Sequence, residues 1–135
     1  KEIPIIEQKG ASVKVIAGTY ENITGPGNSH TGMLYFDISV NPNSEISIPI
    51  DDGWNGFCYV YEGIIFCKKE LFTGNIGIMS KNGVFECRTE SKDARFILVA
   101  GMPLNEPVAR GGPFVMNTKN EVLQAFEDYQ LGRLG

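Results

Sequence analysis

Apolar and polar residues alternate with a period of two over much of the first hundred positions, the spacing of strands with one face buried. "VKVIAG" (Val13 to Gly18), "MLYFDISV" (Met33 to Val40) and "EISIPI" (Glu45 to Ile50) read as strands. So do "FCYVYEG", "IIFCKK", "NIGIMS", "VFECR" and "ARFILVAG". Turn residues part them: Gly25-Pro26-Gly27-Asn28, Asn41-Pro42-Asn43, Asp51-Asp52-Gly53, Gly63 and Lys81-Asn82-Gly83. The Asn82-Gly83 pair between "IGIMS" and "VFECR" is the strongest hairpin signal in the chain, since both residues tolerate the positive φ of a two-residue turn. Many short strands at this spacing predict an all-β sandwich or a small barrel, closed to remove its edges.

The period changes only at the end of the chain. Thr118 stands three residues before Glu121, a capping box in which each side chain reaches the other residue's free N–H. Val122, Leu123, Phe126 and Tyr129 follow at helical spacing, and Gly132 is placed to end the helix in the left-handed region. Ahead of the helix, "GGPFVMNT" is apolar, and its proline and glycines disfavour helix, so it reads as extended. Phe114 and Met116 then share one side and Val115 takes the other. The expectation is that Phe114, Met116 and the stripe Val122, Phe126, Tyr129 seat on the chain's own barrel. Leu123, Leu131 and Leu134 are left for a neighbour.

At 135 residues, 42% apolar and 21% charged, the chain suits one globular domain over residues 1–135, with no internal repeat or linker. A net charge of −4 with scattered basic residues argues against a nucleic-acid backbone as partner. Lys68-Lys69 reads as a solvated strand end. No apolar run approaches the roughly 20 residues of a membrane span, and "KEIPII" at the start is no secretory signal. A start without Met points to a processed or excised chain. Cys58, Cys67 and Cys87 stand singly, in neither disulfide nor zinc spacing, and read as free thiols of a reducing compartment. Asn22-Ile23-Thr24 is a lone glycosylation match.

Little in the chain has catalytic spacing. The one histidine, His30, lies in the loop "GPGNSHTG" and reads as a solvated side chain, and that loop has no phosphate-cradle pattern. Asp51-Asp52 reads as a turn beside Gly53, and Glu127-Asp128 as the solvent side of the helix. Trp54, the only tryptophan, reads as a packing residue at the mouth of the barrel, with a partner or ligand surface as its alternative.

"GWNGFCYVYEG" and especially "AGMPLNEPV…GPFVMNTKNEVLQAFEDYQLGRLG" resemble the C-terminal half of a pirin, and "IP…VKVIAG" resembles the point where that half begins. The resemblance covers about Ile3 to Gly135. It implies an all-β cupin, a jelly-roll β-barrel with one C-terminal α-helix. It also implies a missing partner: pirins resemble two cupins in tandem, the N-terminal one holding a metal, usually iron, on three histidines and a glutamate. Full-length members are associated with quercetin 2,3-dioxygenase activity and, in eukaryotes, with nuclear transcription-cofactor roles. The general cupin motif, carried onto this chain with Gly63 as closing glycine, puts Gly56 at the glutamate. Asp51 or Asp52 then falls at one histidine and Pro49 or Ile50 at the other. With Gly83 opening the second motif, Ala94 takes the last histidine's place. No catalytic, cofactor-binding or metal-ligating residue is therefore assigned to this chain, and iron is expected only in an N-terminal half.

Three readings follow. The leading one is a metal-free C-terminal cupin domain, non-catalytic alone, that supports the metal-bearing half. Its partner surface is drawn from Trp54, Val115, Leu123, Leu131 and Leu134, and its partner is that half or a second copy of the chain. The second is a part of a full-length iron-dependent quercetin 2,3-dioxygenase. The third is a module that contacts a transcription regulator. The expected location is cytoplasmic, or nuclear in a eukaryote, with no direct nucleic-acid or membrane binding.

Overall fold

The computed structural model describes residues 2–80 and 83–134. The chain falls into two compact units, Lys1–Pro103 and Leu104–Gly135. In the first, the strands are β1 (Ile5–Gln8), β2 (Ala11–Ala17), β3 (Thr19–Tyr20), β4 (Ile23–Thr24), β5 (Met33–Val40) and β6 (Glu45–Pro49). They continue as β7 (Asn55–Glu62), β8 (Ile64–Phe66), β9 (Glu70–Phe72), β10 (Ile76–Ile78), β11 (Val84–Arg88) and β12 (Ala94–Gly101). The second unit holds β13 (Ala109–Gly111), β14 (Phe114–Met116) and α1 (Lys119–Gln130).

Two antiparallel sheets form the first unit, ordered β1-β2-β5-β12-β7-β10 and β6-β11-β8-β9. This is the jelly-roll arrangement of a cupin, laid out as a sandwich. Its sheets keep open edges at β1 and β10 and at β6 and β9, where full closure was expected. Strict alternation in the sequence becomes strict alternation of burial: β2 and β5 bury every second residue. Register then lines the buried positions into rows across the larger sheet. Val13, Ile38, Phe96 and Val60 make one row, and Val15, Phe36, Leu98 and Cys58 the next. The smaller sheet answers with Ile48 opposite Phe85, Ile46 opposite Cys87, and Ile65. All of these belong to one core, and the Phe85 and Phe96 rings meet at 5.4 Å between centroids.

The expected hairpin between "IGIMS" and "VFECR" does not form. β10 pairs with β7 in the larger sheet, while β11 pairs with β6 and β8 in the smaller. The connection therefore crosses between sheets. Asn82 lies outside the described residues, but Gly83 has φ +74, and any side chain there would collide with the carboxylate of Asp52. Its carbonyl accepts the Ile50 N–H at 2.9 Å, so Gly83 ties the start of β11 to the end of β6.

In the second unit, the capping box is present at both ends of its exchange. The Thr118 N–H donates to Glu121 Oε2 at 2.7 Å, and the Glu121 N–H donates to Thr118 Oγ1 at 3.2 Å. Gly132 (φ +66) closes the helix, with the Arg133 N–H on the Asp128 carbonyl and the Gly132 N–H on that of Tyr129. The helix stripe seats on the β13–β14 hairpin beside it. Phe114 meets Phe126 edge-on at 5.0 Å. Gly111 permits this approach, because a Cβ there would lie 2.5 Å from Val122 Cγ1 and 3.2 Å from Phe126 Cε2. The buried helix residues are Val122 and Ala125; Phe126 is half-buried and Tyr129 is exposed. Phe96→Ala should therefore lower the unfolding free energy by about 3–5 kcal/mol. Phe126→Ala should cost no more than about 2 kcal/mol, its ring being partly solvated already. Chemical denaturation of both variants checks the ranking.

Candidate functional site

Three features of the first unit carry chemistry or contact. The first is its interior. Positions carried over from the cupin metal motif do not converge there. Gly56 faces Ala100 across the β7–β12 ladder, and Ala94 lies six residues further along β12, roughly 20 Å away at strand spacing. Ala94 is wholly buried, against Gly63, and Ile50 is buried as well, whereas Pro49, Asp51 and Asp52 are exposed. Among the described residues no three His, Cys, Asp or Glu side chains stand together in a metal-holding group. His30 is exposed in its loop. Trp54 is half-buried against the core, its ring lying on Gly32, where a Cβ would come within 2.8 Å of Cζ2.

The second feature is a cleft of about 1090 Å³ bounded by residues of both sheets, among them Lys9, Glu45, Phe66, Leu71, Met79 and Arg88. The Arg88 guanidinium lies over the Phe66 ring at 4.8 Å, a cation–π contact on its wall. All three cysteines line this cleft. Cys58 and Cys87 are buried, and Cys67, just past the end of β8, is half-buried. Hydrogen bonding from Cys87 favours the Cys67 thiolate and holds its thiol below the usual range, against the opposing effect of burial. The same interaction, and then burial, pushes Cys87 up. Burial first, then the nearby Cys67, raises Cys58 to about 11. The sequence showed three separate thiols; alternation marked Cys58 and Cys87 as inward, but nothing local showed that they share a cleft with Cys67.

The third feature is the outer face of the larger sheet. Tyr35, Val99, Phe57 and Ile78 stand in register across β5, β12, β7 and β10, with Ile97, Tyr59 and Ile76 in the adjoining row. Ile76 is 60% and Ile78 81% exposed, and Phe57 and Tyr59 are also uncovered. The second row ends in a polar group at Asp37, which accepts from Tyr61 Oη at 2.6 Å and lies 3.7 Å from Lys14 Nζ. Burial, then this hydrogen bond and the carboxylate charge, push the Tyr61 hydroxyl up to about 12. The signal for this stripe was present in "FCYVY", which is apolar at both parities where a sheet with one wet face alternates.

In the second unit, Val115, Leu123, Leu131 and Leu134 are all exposed. They do not make one surface. Since Phe114 faces the helix, Val115 points from the opposite side of the hairpin, and Leu123 lies on the helix face turned from the buried Val122 and Ala125.

Comparison with known proteins agrees with the geometry. Residues 35–135 match the model of the pirin C-terminal cupin domain. A pirin-like protein of Solanum lycopersicum is 38% identical over the whole of this chain, which covers 48% of that protein. Pirin of Homo sapiens is 32% identical, again over the whole chain, which covers 49% of it. A crystal structure of quercetin 2,3-dioxygenase from Acinetobacter baumannii superposes with a TM-score of 0.87 at 30% identity, over 98% of this chain and 48% of that one. The chain thus belongs to the pirin family and is similar to its C-terminal cupin domain. It spans about half the length of the relatives it matches. No helix among the described residues is long and apolar enough to cross a membrane.

The thiol environments set an order of reactivity. Cys67 should react with an alkylating reagent about tenfold or more faster than Cys58 or Cys87 in the folded protein, because it is the least buried and the readiest to ionise. Peptide mapping after timed iodoacetamide treatment checks this, with the three rates converging in denaturant.

Proposed function

We propose that this pirin C-terminal cupin domain is non-catalytic by itself and acts as the metal-free support of a metal-bearing N-terminal cupin half. The observation that carries the reading is the interior. Where a metal cupin needs imidazoles around an open coordination position, this sandwich holds the packed rows of Val13, Ile38, Phe96 and Val60 against Ile48 and Phe85. The length relation supports a partner half, since the chain accounts for 48% of the Solanum lycopersicum relative. Surface supports it too: the uncovered Phe57, Tyr59, Ile76 and Ile78 form the kind of contiguous apolar face that marks a contact with another protein or domain. In the second unit, Leu131 and Leu134 are the corresponding contact residues.

A second reading is favoured by the likeness to the Acinetobacter baumannii quercetin 2,3-dioxygenase. In it, the complete protein oxidises a flavonol at its N-terminal half, and this domain takes no direct part in the chemistry.

Binding of this chain to a separately produced pirin N-terminal half should be measurable by titration calorimetry. An Ile76→Lys and Ile78→Lys pair should weaken it by about tenfold or more. Both residues are exposed, so the melting temperature should change little. A Leu131→Asp and Leu134→Asp pair should also weaken it with the fold intact. Unchanged affinity in both pairs, or a chain that pairs only with its own copies, would overturn the proposed partner.

A further inference from the structure

We propose that Cys67 and Cys87 are a peroxide-responsive thiol pair that closes into a reversible disulfide across the cleft. β8 and β11 pair at a single position, Arg88 opposite Phe66. One step back along β11 and one step on past the end of β8 bring Cys87 opposite Cys67, and opposed residues of an antiparallel pair turn to the same face. Cβ atoms of such a pair lie about 4.5–5.5 Å apart, so reaching the roughly 3.5–4.5 Å that a disulfide spans takes a small inward shift of the chain past β8. Both thiols line the same cleft, close enough that each shifts the other's ionisation. The cleft gives a small oxidant a way in to Cys67, which is half-buried, while Cys87 stays behind it.

The chemistry divides between them. The Cys67 thiolate sulfur attacks one oxygen of hydrogen peroxide, the O–O bond breaks, and hydroxide leaves to become water. Cys67 is then a sulfenic acid. The Cys87 sulfur, giving up its proton, attacks the Cys67 sulfur; the S–S bond forms, the S–O bond breaks and a second water departs. Two thiols lose two electrons in all, and peroxide is reduced to two waters. Cys58 faces the pair from the opposite sheet, on β7, and takes no part. Closure would staple the thinnest seam of the smaller sheet, where β8 and β11 meet at one paired position against five between β6 and β11.

The test treats the folded protein with a few equivalents of hydrogen peroxide, blocks remaining thiols with N-ethylmaleimide, and maps the peptides by mass spectrometry. A Cys67–Cys87 cross-link is expected, reversed by dithiothreitol, unaffected by Cys58→Ser, and accompanied by a higher melting temperature. Cys87→Ser should instead leave a Cys67 sulfenic acid that dimedone traps. Because Cys87 is buried and its variant could be destabilised, the wild-type map decides. Cross-links through Cys58, Cys67 oxidised beyond the sulfenic acid with Cys87 still free, or a disulfide that appears only in denaturant would each overturn the proposal.

Discussion

Contact between the two sheets, centred on Phe85 against Phe96, is what the remainder of the first unit depends on. β12 sits inside the larger sheet, bonded to β5 on one side and β7 on the other, so its inward residues are covered from every direction. Ala94, Phe96 and Leu98 on that strand have no exposed surface. With the interior filled by apolar side chains, a polar group there would be left without partners at a cost of several kcal/mol. Chemistry is therefore found at the margin of this core: the half-buried Cys67 in the cleft, the Asp37–Tyr61–Lys14 group on the outer face, the apolar contact stripe on β7 and β10.

Much of this was legible in the chain. "MLYFDISV", "VFECR" and "ARFILVAG" became β5, β11 and β12 with the same ends, because alternation over five to eight residues specifies a half-buried strand. The capping box was equally direct, since Thr118 and Glu121 satisfy each other locally. The family resemblance was carried chiefly by one stretch, the segment around "GPFVMNT" and its helix. Pairing was less legible. Alternation states which face a strand buries and is silent on its neighbour, so Asn82-Gly83 looked like a hairpin although its flanking strands belong to different sheets. β1 and β9 escaped notice for a related reason: "IIEQ" and "ELF" are too short to show a period, and their long-range partners define them.

The helix teaches the same lesson at shorter range. Its stripe finds a partner close by in sequence: the hairpin immediately before it supplies Phe114, with Gly111 clearing space for Val122 and Phe126. A local partner satisfied part of the stripe, so Tyr129 remains in water. What stays exposed is then informative. Val115 and Leu123 lie on opposite sides of the second unit, and Ile76 and Ile78 lie along an open sheet edge in the first. A protein with such surfaces fits a role defined by what it contacts. The thiol cleft is compatible with that role, since it lies between the sheets and meets the stripe only at its edge, where Ile76 and Ile78 also line it.

The central claim is that the interior of this domain is packed where a metal cupin is coordinated. Metal content of the untagged protein after exhaustive dialysis tests it most directly. Elemental analysis should find far less than one iron, zinc, copper or nickel per chain. A transition metal retained at one equivalent, and lost together with thermal stability on chelation, would contradict it.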